Sequence, residues 1–291
     1  MSNTRLKNLG RIALLTAALL WGISFVVMKN VLANIPTLYI LAIRFCCAAL
    51  ILIPACTRKL KTIDRSYLLW ASLMGVLLLL GYVFQTYGLR YTTPGKNAFL
   101  TSIYCVIVPF FYWLMIKRKP DRYNAASAAI CIIGIGFISL DSNLRIGIGD
   151  VLTIICGFFY AIHIVIIARS VEKRDPVVLA MLQFAATGIL ALICALIFEA
   201  PPSVIEQADI WGMVYLTVVC TAGCILMQVF GQKYTPPSQA AVIMTFEAVF
   251  GALSSVILFG EILTPRLIAG FILTFTAVLI SETKLGFLKR T

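Results

Sequence analysis

Residues 84–94 read Phe-Gln-Thr-Tyr-Gly-Leu-Arg-Tyr-Thr-Thr-Pro, and residues 227–237 read Met-Gln-Val-Phe-Gly-Gln-Lys-Tyr-Thr-Pro-Pro. Laid on one another at an offset of 143, Gln85 falls on Gln228, Gly88 on Gly231, Tyr91 on Tyr234, Thr92 on Thr235 and Pro94 on Pro237, with Arg90 opposite Lys233. A self-match at a fixed offset marks a chain written twice. Nearer each start the offset is 139, which sets Trp21-Gly22 on Tyr160-Ala161, Ser24 on His163 and Arg44-Phe45 on Gln183-Phe184. The difference of four residues fits a longer connection around Pro201 and Pro202.

The composition around these stretches fixes the solvent. Of 291 residues, 61% are hydrophobic and 12% charged, and the mean hydropathy is +0.98. Soluble domains run about 45–50% apolar and roughly 25% charged. This chain has too few polar residues to clothe a core in water and is far too apolar to stay disordered. It reads as an integral membrane protein.

Ten apolar stretches are long enough to cross a hydrocarbon layer of about 30 Å. They cover 11–32, 37–56, 67–89, 97–116, 123–140, 148–169, 176–198, 209–231, 238–259 and 264–283, with short Pro- and Gly-bearing connections between them. The first follows Arg5, Lys7 and Arg11 but is longer than a signal-peptide core, and it is read as a retained span. Eighteen Lys and Arg residues fall on the side that carries both ends of the chain. They include the runs Arg58–Arg65 and Lys117–Arg122, Arg169, Lys173 and Arg174, Lys233, and the tail residues Lys284, Lys289 and Arg290. Lys29, Arg90, Lys96, Arg145 and Arg266 make five on the other side, and Arg44 lies inside a span. The positive-inside rule then puts both termini in the cytoplasm. The same distribution explains the net charge of +12 without a nucleic-acid partner.

The repeat divides the spans five and five, at 10–140 and 148–283. An odd number of spans per half makes the second half enter the membrane from the opposite face, an inverted repeat of the kind that brackets a substrate site near the midplane. The expected fold is therefore all-helical, with ten transmembrane helices as two inverted five-helix repeats around a central cavity. Nine cysteines lie in or at the end of apolar runs without a CxxC pair, so neither a disulfide framework nor a metal site is expected. Cys220 and Cys224 share a helix face, where packing is the simpler reading.

The motifs that carry a family likeness are Trp21-Gly22-Ile23-Ser24-Phe25, Arg44-Phe45, Gly88-Leu89-Arg90-Tyr91-Thr92, Tyr234-Thr235, and Phe259-Gly260-Glu261-Ile262-Leu263-Thr264 before Gly270. In order and spacing they resemble the EamA family of the drug/metabolite transporter superfamily, over nearly the whole chain as two tandem units. The resemblance implies a ten-helix bundle exporting small metabolites, amino acids or drugs, with spans 1–4 and 6–9 around the cavity and 5 and 10 outside. The sequence departs from the family after span 4, where Lys117-Arg118-Lys119 stands in place of an often acidic residue.

Ionisable groups inside spans are costly and are candidate functional residues. Glu247 lies near the middle of span 9, opposite Tyr104 in the repeat, and is either a proton-coupling or cation-recognition site or a structural hydrogen bond. Arg44 stays charged and needs an anion, water or a route to the surface; Glu247 is the one carboxylate deep enough to meet it, directly or through solute or water. His163, the sole histidine, is either a proton relay or a packed, hydrogen-bonded ring. Gln85, Gln183 and Gln228 either line the pathway or tie helices together. Trp21, Phe25, Tyr82, Tyr104, Tyr160 and Phe246 are candidate cavity aromatics, with core packing the alternative for each. Trp70, Trp113 and Trp211 read as interfacial anchors, and Lys29 and Lys96 as side chains reaching for the outer surface. Small residues on span 5 (Gly134, Gly136, Ala125, Ala129) and span 10 (Ala269, Gly270) permit close packing within the chain or in a dimer.

The expected function is a secondary transporter, an exporter in the cytoplasmic membrane working by alternating access. Its expected partners are a small-molecule solute, the bilayer and a coupling proton, in a monomer or homodimer, with no cofactor. A membrane enzyme using Glu247 and His163 as acid and base, or a channel-like facilitator, is the alternative; no nucleophile motif, metal cluster or filter-like loop argues for either.

Overall fold

The computed structural model describes residues 3–117, 119–140, 145–171, 174–235 and 237–283. Arg118, Lys173, Pro236, Lys284, Lys289 and Arg290, which entered the sequence reading, lie outside the described residues, as do the side chains of Arg58, Lys233 and Pro237.

In hydrocarbon every backbone N–H and C=O must find its partner within the segment, so apolar runs without breakers become helices. The described chain runs α1 (Asn3–Val31), α2 (Thr37–Cys56), α3 (Arg65–Tyr91), α4 (Pro94–Thr101), α5 (Tyr104–Ile116), α6 (Arg122–Ser139), α7 (Ile148–Ser170), α8 (Pro176–Phe198), α9 (Gln207–Val214), α10 (Cys224–Tyr234), α11 (Pro237–Ser254) and α12 (Pro265–Thr283). A π-helical stretch, Tyr215–Gly223, joins α9 to α10, and a second, Ser255–Phe259, extends α11. Among the described residues eight helical units are long and apolar enough to cross a membrane, and two further apolar helices, Ile243–Phe259 and Pro265–Ser281, are shorter. The chain is thus a multi-pass, all-helical protein.

Polar residues at the breaks set the helix starts. Asp64 accepts the Tyr67 amide, Asp121 and Asn124 form a reciprocal cap on α6, and Asp175 accepts the Val177 and Val178 amides ahead of Pro176. Thr93 caps α4, whose first residue is Pro94. The fourth apolar run therefore begins at Pro94 rather than 97. It is broken at Ser102–Ile103, where the chain passes from α4 to α5 and delivers Tyr104 at the new helix start.

Packing follows the two-fold pattern of the sequence. α2 lies antiparallel to α8: Leu38 N–H donates to the Glu199 carboxylate at one end, and Lys59, just beyond α2, pairs with Asp175 at the other. α3 runs antiparallel to α7, with Gly88 beside Thr153 and Gly81 beside Tyr160. Its counterpart under exchange of halves, α10, runs antiparallel to α1, with Gly231 on Leu14 and the Cys220 carbonyl on Trp21. α6 and α12 pack antiparallel through Gly134 against Thr274 and Gly270 against Ile138, so these small residues serve a contact within the chain. Two residues outside this pattern of contacts repeat as well: Lys117 (φ 61°) and Gly260 (φ 75°), 143 apart, both end a helix in the left-handed conformation.

The densest packing holds the α2–α3–α8 face, where Phe45, Leu52, Met74, Leu179 and Phe184 are buried together. Outward-facing residues are apolar too: Leu196, Ile197 and Phe198 are 68%, 66% and 74% exposed. Such a surface suits lipid and not water.

Candidate functional site

Two chambers lie between the halves. The smaller, of 160 Å³, is lined by Trp21, Ser24, Phe25 and Met28 of α1, Arg44 of α2, Tyr82, Gln85, Thr86 and Leu89 of α3, Asn97, Thr101 and Tyr104 of α4–α5, Tyr160 of α7 and Glu247 of α11. The larger, of 650 Å³, runs from the same centre past His163, Gln183 and Gln228 to Val171 and Pro176 at the α7–α8 connection, on the face that carries the basic loops. Trp21, Tyr104, Tyr160 and Glu247 line both chambers, and so form the waist between them. The volume of the larger chamber suits a small metabolite.

Close helix approach builds the waist. A Cβ on Gly22 would meet the Phe250 backbone at 2.8 Å, so only glycine lets α1 come down onto α11, bringing Trp21 to the chamber that Glu247 lines. Trp21 Nε1–H donates to the Cys220 carbonyl at 2.6 Å, and Thr221 Oγ1 accepts from Arg44 Nε at 2.6 Å. Both acceptors sit on the π-helical stretch, where the wider turn displaces backbone and side chain from the regular helical positions. Arg44, 3% exposed, is also held by Tyr82, whose hydroxyl accepts at 3.4 Å and whose ring centroid lies 4.8 Å from the guanidinium carbon. That stacking helps a cation persist where little of it is exposed. Tyr82, Tyr160 and Tyr104 continue as an edge-to-face series at 5.6 and 6.3 Å.

Glu247 has no hydrogen-bond or ion-pair partner among the described residues, and it does not touch Arg44. The guanidinium and the carboxyl group line one chamber without meeting. His163 Nε2 lies 3.0 Å from Gln183 Oε1, so its ring nitrogen is engaged by an amide and not by Glu247. Gln85 is also tied, accepting from the Tyr160 hydroxyl at 2.9 Å and donating to Thr101 Oγ1 at 3.1 Å. Gln228 lines the larger chamber.

Asn97 and Asp150 were not legible as site residues, and Glu261 stood out only as part of a motif. Asn97 is fully buried; its Nδ2 donates to Thr153 Oγ1 (2.7 Å) and to the Gln85 carbonyl, while its Oδ1 has no partner. Beyond the smaller chamber, Asp150 accepts from Thr92 Oγ1 at 2.5 Å and pairs with Lys96 at 2.6 Å. Glu261 accepts from the hydroxyls of Thr93 and Ser255 and from the Gly95 amide. These two carboxylates of the second half clasp the α3–α4 connection of the first. Lys96 is thus an ion-pair partner rather than a snorkelling side chain, and Lys29 caps α3 by donating to the carbonyls of Leu89, Arg90 and Thr92. Phe246 is 36% exposed and packs on Phe250 and Phe275; it does not line either chamber, because it points away from the helix face that carries Glu247.

The sequence model of the EamA-like transporter family matches residues 8–140 and again 147–283. The chain belongs to this family. An uncharacterized transporter of Archaeoglobus fulgidus is 33% identical over 269 residues, covering 92% of this chain and 84% of its own. The uncharacterized transporter YoaV of Bacillus subtilis (strain 168) is 22% identical over 271 residues, 90% of this chain and 92% of its own. A crystal structure of a protein at 15% identity superposes with a TM-score of 0.67 over 100% of both chains, a likeness of fold. An EamA-like chain is a membrane transporter of a small-molecule solute, and the two chambers lie where its two units meet.

Proposed function

We propose that this EamA-like chain is a secondary transporter that exports small amphipathic metabolites, amino acids or drug-like solutes across the cytoplasmic membrane by alternating access. In this reading ten spans form two inverted repeats with both termini in the cytoplasm, and the shape described above is the inward-facing one. One observation carries it: Arg44 and Glu247, from opposite halves, line one chamber without neutralising each other. A buried guanidinium and an unpartnered carboxylate are stabilised by whatever enters between them. A solute with an acidic end for Arg44, a donor end for Glu247 and an apolar body for Trp21, Tyr82 and Tyr160 meets all three requirements.

The antiparallel pairing of α2 with α8 and of α6 with α12 supports inversion, since equivalent helices then run in opposite directions. The clasps through Asp150 and Glu261 support closure on the outer side. The proton is the coupling ion in this reading, with Glu247 its site. Purified chain in proteoliposomes is expected to show saturable counterflow of a solute first found by thermal stabilisation across a metabolite panel. Flux without saturation or counterflow would indicate a channel, and chemical conversion of the solute an enzyme; either result overturns the reading.

A further inference from the structure

An apolar groove of 540 Å³ lies on the outer surface of the bundle, away from both chambers. Ile107, Phe110 and Leu114 form one wall on α5, Ala128 and Ile132 another on α6, with the buried Val106 and Cys131 between them and Phe158 of α7 at the rim. From Ile103 to Leu114 the groove follows eleven helical steps, about 16 Å at the rise of 1.5 Å per residue. That is about half of a 30 Å hydrocarbon core, the depth of one leaflet.

The two helices that wall the groove are joined by a short loop, three residues beyond Leu114. This loop joins α5 to α6 and carries Lys117, Lys119 and the first α6 residue, Arg122, all exposed, with Asp121 occupied in capping α6 and Arg122 resting on the Tyr123 hydroxyl. The equivalent loop of the other half is built differently. There the carboxylate of Glu261 turns inward onto Thr93, Gly95 and Ser255, behind Gly260 in the left-handed conformation. Here the left-handed position is taken by Lys117, in a conformation that glycine adopts freely and lysine seldom does. The first half thus keeps a lysine, at a conformational cost, at the mouth of an acyl-sized groove.

We infer that this seam is a binding site for an anionic phospholipid, one acyl chain lying between α5 and α6 and the phosphate meeting Lys117, Lys119 and Arg122. Basic clusters at the bilayer surface next to inter-helix grooves recognise anionic headgroups by charge, and the chain is held by apolar burial. The site is independent of the transport reading; either stands if the other fails.

Trp113, one residue from the groove-lining Leu114, reports on it. The full-length protein is reconstituted in phosphatidylcholine vesicles carrying equal mole fractions of bromine-labelled phosphatidylglycerol or bromine-labelled phosphatidylcholine. The fluorescence lost in Trp113→Phe isolates that residue's signal. Quenching by the phosphatidylglycerol is expected to show a preference of about fivefold for each basic group that reaches the phosphate. The triple variant Lys117→Gln, Lys119→Gln, Arg122→Gln is expected to remove the preference and leave the phosphatidylcholine signal. Ala128→Phe, which fills the groove, is expected to lower quenching by both lipids. Equal quenching in the wild type, or a preference that survives loss of the three charges, overturns the site. Cross-linking of Ile132→Cys between copies would also overturn it, by showing that a second chain covers the seam.

Discussion

Arg44 and Glu247 are the residues whose chemistry the membrane makes hardest to explain as packing. The guanidinium has two hydroxyl partners and two aromatic faces, yet among the described residues no carboxylate lies within ion-pair distance. Glu247 lines the same chamber with no partner of its own among the described residues. If solute or water links them, Arg44→Gln and Glu247→Gln each lower counterflow strongly, and the double variant costs much less than the sum, with a coupling on the order of 1–3 kcal/mol. Additive effects in that cycle would show two independent sites. Both residues were legible in the sequence because a charge in an apolar run stands out. Asn97 and Thr101 were not, since a small polar residue near a span end carries no such signal. Their role emerges only where the α4–α5 break turns them toward α7 and Gln85.

At the level of the helix, the prolines, glycines and capping carboxylates were readable as ends, and the observed starts of α2, α7 and α8 match the apolar runs. The interruptions were not readable. The sequence of 209–231 is evenly apolar, and nothing in its periodicity announces a π-helical segment; the contacts that Cys220 and Thr221 make from it with α1 and α2 are long-range and have no local signature. The start of α8 rests on one side chain, Asp175. Burial pulls the Asp175 carboxyl upward, but Lys59 and the amides of Val178 and Val177 outweigh it and hold it below the ordinary carboxylate value. A group lowered in this way stabilises the fold above its unfolded value of about 3.9, and that contribution fades as pH falls through the lower folded value. Asp175→Ala should therefore lower stability at neutral pH by about 1 kcal/mol through the lost cap. Thermal unfolding of wild type and variant should converge in strong acid; an unchanged gap there would show that the carboxylate charge contributes nothing.

Over the whole molecule, the repeat legible in residues 84–94 and 227–237 reappears as antiparallel pairing of equivalent helices and as left-handed helix ends at Lys117 and Gly260. What a linear repeat could not convey is the asymmetry laid on it. The basic-loop side holds the 650 Å³ chamber, whereas the opposite side is clasped by Asp150 and Glu261. A carrier at rest with one side clasped must release that clasp to expose its centre to the other side. The direct test is labelling by a membrane-impermeant maleimide in sided vesicles, with Gln228→Cys reporting the larger chamber and Thr86→Cys the smaller, each against the wild type. Gln228→Cys is expected to react from the cytoplasmic face alone. Thr86→Cys is expected to stay protected from outside until Asp150→Asn and Glu261→Gln are added, when it reacts and Gln228→Cys labelling falls. Reaction of both positions from opposite faces in the unclasped protein and the clasped protein alike would contradict alternating access.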